Sequence, residues 1–124
     1  MARITQMTPF ILTHNLGASL AFFKDIMGFE CTFRADDYAF IRRGEIALRV
    51  LEVDCEIGEQ MVYFDVDDVD ALYAEKRGAL ETLEAGRVRA PFDQPYNQRE
   101  FHLKDPDNCL FFFGQPTPQP TDPT

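Results

Sequence analysis

Tryptophan is absent from the 124 residues, histidine occurs twice, cysteine three times and serine once, at Ser19. Each scarcity removes a class of chemistry. Cys31, Cys55 and Cys109 are odd in number, widely spaced and outside any C-x-x-C pattern. That argues against a disulfide or zinc framework and for reduced thiols. The lone serine falls in a helical stretch with no G-x-S-x-G elbow around it, so the usual serine nucleophile is missing. No apolar run is long enough to span a bilayer, and the N-terminal MARITQM has no apolar signal segment, so the expected location is cytoplasmic. Positive charge is also scarce. Twelve basic residues against twenty-one acidic ones give a formal net charge of −9. This disfavours nucleic acid and anionic membranes as partners and favours cationic ligands.

What is present is apolar and aromatic. Hydrophobic residues make up 45% of the chain and twelve are Phe, enough for a folded globule with one core. Residues 8–13 read as a strand. Asn15 then caps a helix over 17–27, in which Leu16, Leu20, Phe23 and Met27 share one stripe and Gly28 supplies the stop. Strands over 30–34, 38–43 and 45–53 follow, with turns at Asp36-Asp37 and Arg43-Gly44.

The order then repeats. Residues 61–66 form a strand, Asp67 or Asp68 caps a second helix with Val69, Leu72, Tyr73 and Lys76 on one face, and Gly78 ends it. The stretch 79–97 is expected to hold at most one short strand, near 82–83. Strands over 98–104 and 109–113 close the chain around the turn Asp105-Pro106-Asp107-Asn108. The expected organisation is one domain over 1–114, built from modules at about 4–56 and 57–114, with a proline-rich mobile tail over 115–124.

Two tandem βαβββ modules closing on REFHLKDPDN resemble the vicinal-oxygen-chelate superfamily of glyoxalases, bleomycin-resistance proteins and dioxygenases. Several local pieces are similar to the bleomycin-resistance branch: Pro9, the 20–29 run ending in MGF, Asp36-Asp37-Tyr38, Leu72-Tyr73-Ala74-Glu75, Gln94-Pro95-Tyr96 and Arg99-Glu100-Phe101. The resemblance implies an α+β fold with a curved, open mixed sheet, and a homodimer. Enzymes of the superfamily hold a divalent metal on the first, fourth, fifth and eighth strands. The matching positions here are Thr8, Ala47 or Arg49, Met61, and Phe111 or Phe112. None is an ordinary ligand for such a cation, and His14 and His102 stand elsewhere. The expectation is therefore no metal, no cofactor and no catalytic residue of the usual kind.

Strand alternation places Met61, Tyr63, Asp65, Arg49, Glu100 and His102 on the side of the sheet away from the helices. The resemblance adds Phe33, Tyr38 and Tyr96, with Tyr63 and Tyr96 standing where the family often has tryptophan. These nine residues are the candidate ligand-binding set. The function implied is a non-catalytic protein that sequesters a cationic or aromatic antibiotic-like molecule in a dimer-interface groove. The alternative is an enzyme of the same fold, lyase- or dioxygenase-like, with an altered site.

Overall fold

The computed structural model describes residues 1–118. Its elements are β1 (Phe10–Thr13), α1 (Leu16–Asp25), β2 (Glu30–Arg34), β3 (Tyr38–Arg43), β4 (Ile46–Glu52), β5 (Met61–Asp65), α2 (Val69–Leu80), β6 (Val88–Asp93), β7 (Gln98–Lys104) and β8 (Leu110–Pro116). They fall into two compact units, Met1–Glu59 and Gln60–Thr124, with one βαβββ module each. Each unit has its own open, four-stranded mixed sheet, ordered β1-β4-β3-β2 and β5-β8-β7-β6. In both, the strand before the helix pairs parallel with the last strand, and the hairpins add antiparallel partners.

The helices begin where the sequence says they should. Asn15 and Asp68 are extended, and their side chains accept from the N–H groups of Ala18 and Ala71, both at 3.0 Å. A second acceptor comes from the end of each unit's own sheet. Glu52 accepts from the Leu16 N–H at 2.8 Å, and Gln115 accepts from the Val69 N–H. Two of the four orphan donors at each helix start are thus satisfied. The first helix ends at Asp25, two residues short of the expected 27, with Ile26 as its C-cap; the chain then turns away at Gly28, which has φ 76°, while the Phe29 N–H returns to the Phe23 carbonyl at 2.9 Å. That left-handed step is open to glycine at little cost.

Three expectations need correction. Gly78 does not end α2, which runs on to Leu80. Its φ is not positive, so it is an ordinary helical glycine that costs about 1 kcal/mol relative to alanine. The ending falls just beyond, where Thr82 Oγ1 donates to the Ala79 carbonyl at 2.6 Å. Second, residues 82–83 form no strand. The strand of that region is β6, which pairs with β7 and carries Pro91 in an irregularity between Arg89 and Phe92. Proline is tolerated there because β6 is the edge of its sheet. Third, β8 continues to Pro116, so the expected tail begins inside a strand and Gln115 serves the helix start. Residues 119–124 of that tail lie outside the described residues.

Each sheet buries one face under its helix. In the first unit Ile11, Leu16, Phe23, Ile41, Leu48 and Val50 are buried. In the second the core is aromatic: Phe101 stacks on Phe113 at 4.7 Å and meets Tyr73 edge-on at 5.3 Å, and Phe64 stacks on Phe113 at 5.1 Å. Such pairs contribute about 0.5–1.5 kcal/mol beyond the area they bury. Among the described residues no helix is long and apolar enough to cross a membrane.

Candidate functional site

The face of each sheet away from its helix follows from strand register. In the second unit Tyr63 pairs with Phe112, Phe112 with His102, and Glu100 with Gly114. Paired residues project to the same side, so Tyr63, Phe112, His102 and Glu100 share the open face. The register also separates two neighbouring phenylalanines. Phe111 is buried on the helix side against Phe64, and Phe112 is the one that reaches the open face.

Glu100 is the centre of this face. It is a carboxylate with no exposed surface, on a side that otherwise meets solvent through Tyr63 and Tyr96. Three donors hold it. The Gln94 amide donates to Oε1 at 3.0 Å, His102 Nε2 to the same oxygen at 2.8 Å, and the Tyr96 hydroxyl to Oε2 at 2.7 Å. An ionised carboxylate only accepts, so the His102 proton sits on Nε2. Burial is the largest single influence and pushes the Glu100 carboxyl up. The hydrogen bonds from His102, Tyr96 and Gln94, with the nearby Tyr63 hydroxyl adding to them, outweigh it and leave the group below the ordinary glutamate value. The same contacts act in reverse on the phenols. Burial first, then the Glu100 charge, raises both Tyr63 and Tyr96, so both remain neutral donors.

Aromatic rings surround the carboxylate. Tyr63 lies nearly parallel to Phe112 at 5.7 Å, and Phe112 meets the His102 ring at 4.4 Å. Phe92 meets the other side of His102 at 5.1 Å, and the Arg89 guanidinium sits over Phe92 at 3.5 Å. The Tyr63 hydroxyl reaches Gln98 Oε1 at 3.0 Å by passing over Gly114. A Cβ on residue 114 would stand 2.0 Å from that hydroxyl oxygen, so the ring lies where only glycine leaves room. Met61 and Asp65 lie on the Tyr63 side of β5 and are exposed. Asp65 acts on Tyr63 through its charge.

The first unit gathers the other three candidates around a charge of opposite sign. Phe33 is exposed rather than part of the core, and its ring lies 6.1 Å from that of Tyr38. Arg49 donates from Nε to Thr8 Oγ1 at 2.8 Å and from Nη1 to the Tyr38 hydroxyl. Its guanidinium lies over the Phe40 ring at 5.0 Å, and Phe10 stands 6.4 Å from Tyr38.

The structure brings Tyr63, Tyr96, Glu100 and His102 together in the second unit and Phe33, Tyr38 and Arg49 together in the first. The expected set did not include Phe10 and Phe40 beside Arg49, or Gln94, Gln98, Phe92 and Gly114 around Glu100. Phe10 and Phe40 were available from alternation along β1 and β3. Phe92 was not, because Pro91 hides the strand that carries it. His14, the other histidine, lies away from these centres and bonds through Nε2 with the Cys55 carbonyl at 2.9 Å.

The positions that would hold a metal carry a hydroxyl engaged by an arginine, the guanidinium itself, an exposed thioether and the Phe112 ring. These donors do not fit a divalent cation. Among the described residues no group of three or more His, Cys, Asp or Glu side chains is placed to hold one. The Glu100–His102 pair is two such groups, not three.

The sequence profile described as the Glyoxalase/Bleomycin resistance protein/Dioxygenase superfamily matches residues 3–113. A bleomycin-binding protein solved in complex with bleomycin is similar in structure, with TM-score 0.77 and 23% identity over 90% of this chain and 98% of that one. The bleomycin-binding protein of bleomycin-producing Streptomyces verticillus, complexed with copper(II)-bleomycin, has TM-score 0.75 and 24% identity over 96% of this chain and 100% of its own. A lactoylglutathione lyase from Agrobacterium tumefaciens has TM-score 0.70 and 18% identity over 92% and 96%. A search of curated proteins gives no match.

Proposed function

The chain belongs to the glyoxalase/bleomycin resistance protein/dioxygenase superfamily, and we propose that it is a non-catalytic small-molecule binding protein of the bleomycin-resistance type. In this reading it is a cytoplasmic homodimer that sequesters a cationic or aromatic antibiotic-like ligand in grooves at the dimer interface, without a cofactor. Its ligand-binding residues are Phe33, Tyr38 and Arg49 in the first unit and Met61, Tyr63, Asp65, Tyr96, Glu100 and His102 in the second. The two bleomycin-binding structures support this reading, and the lyase shows that the same fold also serves an enzyme. Identity at this level transfers the fold and not the activity.

The observation that carries the reading is Glu100. A buried, ionised carboxylate behind Tyr63, Phe112, His102 and Tyr96 makes the rings in front of it more attractive to a cation than rings alone. A flat cationic ligand gains stacking area and cation–π attraction there, each worth on the order of 1 kcal/mol. The overall charge of −9 draws such a ligand in.

Titration calorimetry with bleomycin and with 1-naphthylmethylammonium tests the reading. Binding that weakens at least tenfold in Glu100→Gln is expected. Absence of heat for both ligands at millimolar concentration would overturn it. One observation favours the enzymatic alternative: the 2.8 Å Glu100–His102 contact has the geometry of an oriented base. Mass spectrometry of the ligand after incubation separates the two, because a binding protein returns its ligand unchanged.

A further inference from the structure

The open face of the first unit is built to donate. Two of the five N–H groups of Arg49 are used, by Thr8 Oγ1 and by the Tyr38 hydroxyl oxygen. Both partners are neutral, and among the described residues Arg49 makes no ion pair. Each hydroxyl accepts from the guanidinium, so its own O–H keeps the capacity to donate. Three unused N–H groups and two O–H groups therefore converge with no anionic acceptor. Rings flank them: Phe40 under the guanidinium at 5.0 Å, Phe33 and Phe10 on either side of Tyr38 at 6.1 and 6.4 Å. Phe10 and Phe33 are more than half exposed.

We propose that Arg49, Thr8 and Tyr38 form a binding site for the carboxylate of a planar organic acid, whose ring lies against Phe10, Phe33 and Phe40. A planar guanidinium fork matches the two oxygens of a carboxylate, and fixed donors lose little entropy on binding it. Exposed rings select an aromatic acid over an inorganic anion, which would leave their surface wet. The inference rests on the reading that this face binds a small molecule, and it adds that this part of the ligand is an anion rather than a cation.

The test is a titration of the full chain, followed by ¹H–¹⁵N NMR, with 1-naphthoate, 1-naphthylmethanol and 1-naphthylmethylammonium. Naphthoate is expected to bind at least tenfold more tightly than the neutral alcohol and to shift the amides of Phe10, Tyr38 and Phe40. Arg49→Gln should abolish that preference and Tyr38→Phe should reduce it a few-fold. Arg77→Gln makes the same charge change on the exposed surface of the second helix and should leave it intact. If Arg49→Gln does not fold, Arg49→Lys keeps the charge but loses the fork and should still lose most of the preference. Equal binding of naphthoate and the alcohol, or a preference that survives Arg49→Gln, overturns the proposal. If the ammonium probe still binds and weakens in Glu100→Gln, the broader binding reading stands without it. If all three probes and bleomycin are silent, both fall.

Discussion

Leu16 and Val69 hold the same place in two copies of one plan. Each is the first residue of a helix, follows an Asn or Asp cap, and gives its N–H to a side chain from the far end of the last strand in its own sheet. The strands that flank Arg49 and those that flank Phe112 also match, with Phe10 and Phe40 on one side of the comparison and Tyr63 and His102 on the other. The frame is shared, yet what stands on its open face is not. One unit presents a partly buried arginine held by two hydroxyls, and the other a fully buried carboxylate held by three donors. The frame depends on caps, register and apolar alternation, which both modules satisfy independently. The face depends on single residues that can change sign without disturbing the frame.

Core truncation should show the largest effect and probes the frame. Phe101→Ala removes a ring stacked on Phe113 and meeting Tyr73, at an expected cost of about 3–5 kcal/mol in urea unfolding. Phe23→Ala in the first unit, where the ring meets Phe22 and Phe29 edge-on, should cost a similar amount. A difference of more than about 2 kcal/mol between them would break the equivalence of the two cores.

The second prediction sharpens the difference between the faces. Glu100→Ala strands Gln94, Tyr96 and His102 around a buried gap and should cost on the order of 3 kcal/mol. Arg49→Ala leaves neutral hydroxyls that water can reach and should cost about 1 kcal/mol or less. Equal costs would mean that the two centres are not buried differently.

The third concerns pH and exists in the second unit. Asp105 is buried, and its Oδ1 accepts from the N–H groups of Asp107 and Cys109, both at 2.9 Å, while Oδ2 has no partner. Burial pushes its carboxyl up to about 6 from an ordinary 3.8. The folded state therefore holds the proton more tightly than the unfolded chain. Its contribution is complete below the unfolded value and is lost as pH rises through about 6. Asp105→Asn keeps an acceptor for the two N–H groups and cannot ionise. Relative to the parent it should gain on the order of 2 kcal/mol between pH 4 and pH 8, followed by thermal unfolding across that range. Glu100 has the opposite sign, because its lowered carboxyl stabilises above the unfolded value and fails only as pH falls through its folded one.

The smallest expected effect returns to the frame. Asn15→Ala and Asp68→Ala should each cost about 1 kcal/mol, since each removes one acceptor at a helix start that keeps a second in Glu52 or Gln115. Thermal unfolding of the two variants checks it, and unequal losses would show that the second acceptors are not equivalent.

Much of this plan could be read from the residues. Asn15, Asp68 and Gly28 mark helix ends through local chemistry, and alternation sorts Val62 and Phe64 from Met61, Tyr63 and Asp65. These signals act over a few neighbours, so a sequence carries them. The readings that failed needed information from elsewhere in the chain. Gly78 looks like a stop until the packing of α2 outweighs its propensity, and Pro91 argues against a strand until β6 proves to be an edge. Gln115 looks like the start of a tail until it is found at the Val69 N–H.

By itself, the sequence determined the order of elements and the doubling of the module. Those follow from periodicity, capping and residue identity. Tertiary structure alone decided that Phe112 rather than Phe111 reaches the open face, that Glu100 is wholly buried, and that Arg49 turns to two hydroxyls instead of a carboxylate. Register and hydrogen-bond partners are set by strands distant in sequence, and no local pattern encodes which side chain will be waiting across the ladder.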